Sequence, residues 1–118
     1  MLNKLFSKKQ AGDNAERAAE RYLIGYGLSI IERNFRTRFG EIDLIMRDAE
    51  TLVFIEVRLR KNNDFGGAAA SIGAQKQRRI VAAAQQYIAD LRHPPPCRFD
   101  AVLIMGAKIE WLKDAFGS

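Results

Sequence analysis

With 118 residues, 47% of them hydrophobic, the chain is sized for one globular domain and is too short to bury a second core. No apolar run approaches the roughly 20 residues needed to cross a bilayer, and the start at Met1 lacks the apolar stretch of a signal peptide, so a cytoplasmic protein that spans no membrane is expected. Cys97 and His93 are the only residues of their kinds, which excludes an internal disulfide and a thiolate and imidazole cluster for structural zinc.

A lysine-bearing tail over residues 1–11 is expected to be flexible, followed by a single domain over residues 12–118. Gly12 with Asp13 or Asn14 makes a helix start, and Ala15, Ala18, Ala19, Tyr22, Leu23 and Tyr26 recur at helical spacing until Gly25 and Gly27 end the run. At about 100° per residue, Glu16 falls at the margin of this apolar stripe and can reach inward. Glu20 falls further out, beside Arg17 and Arg21, and a solvated side chain is expected there. Residues 28–34 read as a first strand, with Arg33, Arg36 and Arg38 clustered around its end.

Residues 40–46 and 52–58 read as two further strands joined by a hairpin turn over residues 48–51. Side chains two apart on a strand share a face. Glu41 and Asp43 are therefore expected on one face and Ile42, Leu44 and Met46 on the other. In the partner strand Glu56 and Arg58 share a face, opposite Val53, Ile55 and Val57. Paired in a hairpin, the charged groups gather at one end of a sheet. The same alternation also describes the wet face of an amphipathic hairpin, and periodicity alone does not choose between the two.

Residues 61–73 are rich in Asn, Gly and Ala and are long for a connection in a small domain, which makes them a candidate site loop. A second helix over residues 74–91 carries Ile80, Ala84, Tyr87, Ile88 and Leu91 on one side. One turn back, that side contains Lys76 and Gln77, which either snorkel outward or line a site. The prolines at 94–96 end the helix, and strands over residues 98–105 and 108–112 follow, with Trp111 packed on the sheet. His93 and Cys97 flank these prolines; a loop with a half-buried thiol fits them better than a nucleophilic pair. The element order gives an α/β sandwich with a mixed sheet, because a crossover through the second helix favours parallel pairing of the third and fourth strands.

The net charge of +5 is informative through its distribution. Residues 1–38 carry eight basic and four acidic groups, and residues 57–80 six basic and one acidic. Between them, residues 39–56 carry five acidic groups and only Arg47 as a cation. An acidic island between basic flanks suits a divalent cation held within a polyanion-binding surface; dispersed surface charge on a small basic protein is the plainer alternative.

Gly40-Glu41-Ile42-Asp43 followed by Glu56-Val57-Arg58 resembles the Asp…(Asp/Glu)-x-Lys signature of the restriction-endonuclease-like superfamily, PD-(D/E)xK. The wider set resembles the bacterial YraN family of predicted endonucleases, itself similar to the archaeal Holliday junction resolvases. It comprises Gly12, Ala15-Glu16, Tyr22-Leu23, Arg33-Asn34, the two strands just named, Phe65-Gly66-Gly67-Ala68, Lys76-Gln77-Arg78-Arg79 and Arg98-Phe99-Asp100. The resemblance spans nearly the whole chain. It implies a restriction-endonuclease-like three-layer sandwich, with a central mixed five-stranded sheet flanked by helices. It further implies that Asp43 and Glu56 bind Mg²⁺ or Mn²⁺, with Glu16 beside the same ion. Glu41 is a candidate outer ligand.

The departure is Arg58, where the superfamily pattern has lysine. Arginine can stabilise charge on a phosphate and cannot act as a base; Lys76 is the candidate substitute. The expected function is a metal-dependent endonuclease, a hydrolase of DNA phosphodiesters, on branched or otherwise structured DNA by analogy with the resolvases. RNA is left open as a substrate, and a homodimer is one way to cut two strands. Arg33, Arg36, Arg38, Arg60, Lys61, Gln77, Arg78 and Arg79 would grip the nucleic acid, chiefly its phosphates. The alternative is a catalytically inactive nucleic-acid-binding or assembly module that keeps the fold.

Overall fold

The computed structural model describes residues 2–60 and 72–117, with side chains from residue 9 onward. Helix α1 (Leu2–Gly25) leads into strands β1 (Ser29–Arg36), β2 (Glu41–Asp48) and β3 (Thr51–Leu59). Helix α2 (Ala74–Ala89) crosses over to β4 (Cys97–Met105), and β5 (Lys108–Phe116) follows. The strands lie in one five-stranded sheet in chain order. Only β3 and β4, the pair joined through α2, run parallel; the other neighbours are antiparallel. The mixed sheet is therefore the one the crossover requires.

The sheet buries both faces, one under each helix. Ala15, Ala19 and Leu23 of α1 pack with Leu44, Met46, Val53, Ile55, Val102 and Ile104. Ile80, Ala83 and Ala84 of α2 pack with Ile42, Ile45, Leu52, Phe54 and Leu103 on the other side. Small alanines let each helix sit close to the sheet, and the bulk comes from the strands. The central strand β3 is apolar on both faces, with Val53, Phe54 and Ile55 all fully buried. Fully burying a side chain such as Phe54 contributes roughly 1.5–3 kcal/mol. The architecture is an α/β three-layer sandwich. Among the described residues, no helix is long and apolar enough to cross a membrane.

Several element ends differ from the sequence reading, those of α1 and β5 most. Helix α1 begins at Leu2 instead of at Asp13 or Asn14. Lys8, Lys9, Gln10 and Ala11 are good helix formers, and Gly12, at about 1 kcal/mol against alanine, is tolerated within the run. Helix α2 stops at Ala89, with Asp90 as its C-cap. Strand β5 runs past residue 112 to Phe116 because its pairing with β4 resumes at Phe99↔Phe116 after an irregularity. At that irregularity the fully buried Asp100 accepts the backbone N–H of Asp114, whose φ is 53°, at 2.9 Å. Asp100 also takes Arg98 Nε at 3.0 Å and Trp111 Nε1 at 2.9 Å, and Arg98 reaches Asp48 at 2.8 Å. Cys97 opens β4 with an exposed thiol, not the half-buried loop thiol expected.

Candidate active site

The hairpin of β2 and β3 forms as expected, closing at Asp48↔Thr51 around Ala49, whose φ is 54°. Its other end departs from simple alternation. Ile42 packs on the α2 side of the sheet, whereas Leu44 and Met46 pack on the α1 side, so the expected common face for these three is wrong. The switch occurs at Asp43. The ladder between β2 and β3 extends only from Asp48↔Thr51 to Leu44↔Ile55, and at Asp43 the side chain takes over from the backbone, Oδ2 accepting the Val57 N–H at 2.8 Å.

The neighbouring strand switches in the same row. Asn34 lies between the pairs Arg33↔Leu44 and Phe35↔Ile42, opposite Asp43, with φ 51° in the left-handed region that asparagine tolerates. Arg33 consequently bonds to Glu20 on α1 while Phe35 stacks edge-on to Tyr87 of α2, ring centres 5.2 Å apart. The parity break leaves Asp43 where carboxylates from both helix-covered sides of the sheet can reach it.

Glu16 approaches from α1. Its Oε1 accepts the Asn34 amide at 2.8 Å, and burial raises its pKa to about 7, with the Asp43 and Glu41 charges adding to the shift against the Asn34 bond. Glu56 approaches from β3, only 2% exposed, with Lys76 Nζ 3.5 Å from its Oε2. Asp43 lies between them. Burial first, then its hydrogen bond to Glu56 and the Glu56 charge, push its pKa up to about 8, opposed by the Val57 N–H and Lys76. Glu41 stands at the rim, its Oε1 3.4 Å from both Asn34 Nδ2 and Arg36 Nε.

The contacts among these acids run in a chain, Glu16 to Asp43 to Glu56. Among the described residues, no group of three or more acidic, histidine or cysteine side chains is arranged to hold an ion alone. Mg²⁺ usually takes one or two carboxylates and completes its octahedron with water and phosphate oxygens. The hard oxygens of Asp43 and Glu56 fit that requirement, and the burial and crowding that raise the Asp43 pKa are what a cation would relieve.

Other residues singled out in the sequence fall in distinct places. Lys76 lines the site, as one of its two expected dispositions had it. Gln77, beside it, spends its amide on the Ile72 carbonyl at 2.8 Å. Arg58 is half-buried on β3, two residues beyond Glu56, and Arg60 donates its backbone N–H to Ile104. Glu20 is not solvated as expected: it is buried and takes Arg33 Nε and Nη2 at 2.7 Å each. That pairing lowers the Glu20 pKa and occupies the guanidinium of Arg33. Arg36, Arg38, Arg78 and Arg79 are exposed. Lys61 and most of the candidate loop at 61–73 lie outside the described residues.

The model of the uncharacterised protein family UPF0102 matches residues 15–104, which include every carboxylate of this site. The chain belongs to the UPF0102 (YraN) family. A UPF0102 protein of Nitrosospira multiformis is 56% identical over 108 residues, covering 89% of this chain and 91% of its own length. One from Methylobacillus flagellatus is 52% identical over 114 residues, covering 93% and 99%. One from Dechloromonas aromatica is 57% identical over 108 residues, covering 91% and 88%.

Within this UPF0102 chain, parts of the family-like pattern are architectural. Arg98 and Asp100 anchor the start of β4 to β5 and to Asp48. Gly40 lets the β1–β2 hairpin lie against α2: a Cβ there would stand 3.0 Å from both Cβ and the carbonyl oxygen of Arg79. Asn34, which the sequence reading gave no role at the site, holds Glu16 and Glu41 together. An asparagine among charged residues near a strand end was the available signal.

Proposed function

We propose that the chain is a Mg²⁺- or Mn²⁺-dependent endonuclease acting on DNA, on branched or otherwise structured DNA in particular. The observation that carries this reading is Asp43, set between Glu16 and Glu56 with Lys76 beside the pair. A divalent cation held there would polarise a phosphodiester, lower the pKa of an attacking water and offset charge on the leaving oxygen. Asp43 and Glu56 supply the ligands, and the Val57 N–H fixes the orientation of the Asp43 carboxylate. Glu16, steadied by Asn34, lies where it can hold a water that hydrates the ion. Lys76 brings the positive charge that the motif lysine would bring, from α2 instead of β3, and Arg58 adds a fixed cation for the phosphate.

Arg36, Arg38, Arg78 and Arg79 present exposed positive charge suited to phosphate contacts that position a duplex without reading sequence. A homodimer would present two such centres to two strands. The test is a screen of linear, nicked, flapped and four-way-junction DNA with Mg²⁺ or Mn²⁺, using Asp43→Ala as control. Metal-dependent cleavage of at least one substrate, lost in the variant, is expected; cleavage that ignores metal or survives Asp43→Ala contradicts the reading. Arg58 in the lysine position favours a second reading, a DNA-binding module without turnover. It predicts salt-dependent binding with neither cleavage nor cation affinity.

A further inference from the structure

The β1–β2 hairpin carries an exposed aromatic that neither core uses. Phe39 is 41% exposed at the tip, and the Arg38 guanidinium lies over its ring, 4.9 Å from the centroid. The tip is built rigidly. Thr37 Oγ1 accepts the backbone N–H groups of Phe39 at 3.0 Å and Gly40 at 3.2 Å and donates to the Gly40 carbonyl at 3.1 Å. The Thr37 N–H reaches the same carbonyl at 2.9 Å. Gly40 is in turn seated against Arg79 of α2. The braced turn fixes the point from which the ring emerges, with the Arg38 guanidinium over one face.

Position gives the ring a use. Phe39 precedes Asp43 by four residues and lies in the turn before β2 begins at Glu41, so its backbone is no more than about 14 Å from that of Asp43. That is the reach of about four stacked nucleotides at 3.4 Å each. Aromatic rings bind unpaired bases by stacking, and an adjacent guanidinium adds cation–π attraction and a phosphate contact. A continuous duplex offers the ring no open base face.

We propose that Arg38 and Phe39 form a stacking wedge for an unpaired or terminal base, so that the site addresses DNA interrupted within about four nucleotides of the cleaved phosphate. This rests on the endonuclease reading and narrows its substrate class.

The test uses the full chain with Ca²⁺ in place of Mg²⁺, and anisotropy titrations of a continuous duplex and of the same duplex with a flap. Phe39→Ala should weaken flap binding about five-fold or more and leave duplex binding unchanged, with Phe39→Trp restoring the flap. A 2-aminopurine at the first unpaired position should be quenched by the wild type and by Phe39→Trp, not by Phe39→Ala. Because stacking is not ionic, the flap-specific loss should persist when salt is raised. Wild-type binding with equal losses on both DNAs, or none, overturns the wedge and leaves the endonuclease reading standing. A wild type that binds neither DNA overturns both.

Discussion

Lys76 Nζ stands 3.5 Å from Oε2 of Glu56, joining the first turn of α2 to the centre of the sheet. Arg58 stands where the signature has lysine, and the charge of Lys76 falls at the carboxylate pair. Lys76→Met should lower cleavage by about 10²-fold or more, the usual cost of removing a preorganised group that faces developing charge, with DNA affinity little changed. Arg58→Lys in the Lys76→Met background should recover part of the rate. Single-turnover kinetics on the preferred substrate measure both, and a Lys76→Met enzyme of wild-type rate would dismiss the helix lysine.

The raised pKa of Asp43 makes stability depend on pH with a definite sign. Its folded value of about 8 lies above the ordinary value of 3.8, so the folded state holds more protons across that window. Stability of the metal-free protein should fall as pH rises from about 4 to about 8, and Glu16, raised to about 7, adds in the same direction. Glu20, lowered by Arg33, acts oppositely and loses its contribution only at acid pH. Melting temperatures in EDTA should therefore decline toward pH 8 in the wild type, and less in Asp43→Asn. Equal slopes would contradict the shared burial of these acids.

Arg33 and Arg38 should separate into structural and ligand-facing cations. Arg33 is committed to the buried Glu20 carboxylate through two short bonds, so Arg33→Ala should lower the melting temperature and leave the salt dependence of DNA binding nearly intact. Arg38→Gln and Arg79→Gln should each reduce the slope of log K against log salt by about one, with the fold unaffected. Binding isotherms at several salt concentrations beside thermal melts read the difference.

Much of this was legible in the chain. The hairpin, the crossover, the parallel pair and the inward reach of Glu16 follow from periodicity, turn residues and helical angle, which are local quantities, whereas the helical angle leaves Lys76 open between snorkelling outward and lining a site. The common row of Asn34 and Asp43 was not legible, because it arises from the pairing of β1 with β2 and from no pattern within either strand. Glu20 was misread for a related reason: a helical wheel places it outside the stripe of α1, and only the β1 strand beyond supplies the arginine that buries it. The length of β5 depends on Asp100 holding the turn at Asp114 across the sheet.

Asp100 should behave as architecture. Asp100→Ala removes the shared acceptor of Arg98, Trp111 and the Asp114 backbone, leaving the part-buried arginine with Asp48 alone, at a cost of about 1–3 kcal/mol. Urea denaturation should show that loss, while the cation affinity of whatever protein remains folded stays close to the wild-type value, since Asp100 is bonded to Arg98, Trp111 and Asp114 of β4 and β5.

The most direct measurement is a calorimetric titration of Mn²⁺ into the wild type and into Asp43→Asn near pH 8. Specific binding with proton release in the wild type, lost in Asp43→Asn, is what the Asp43–Glu56 site predicts. Binding of equal strength in both proteins, or none in the wild type even with DNA present, would contradict it.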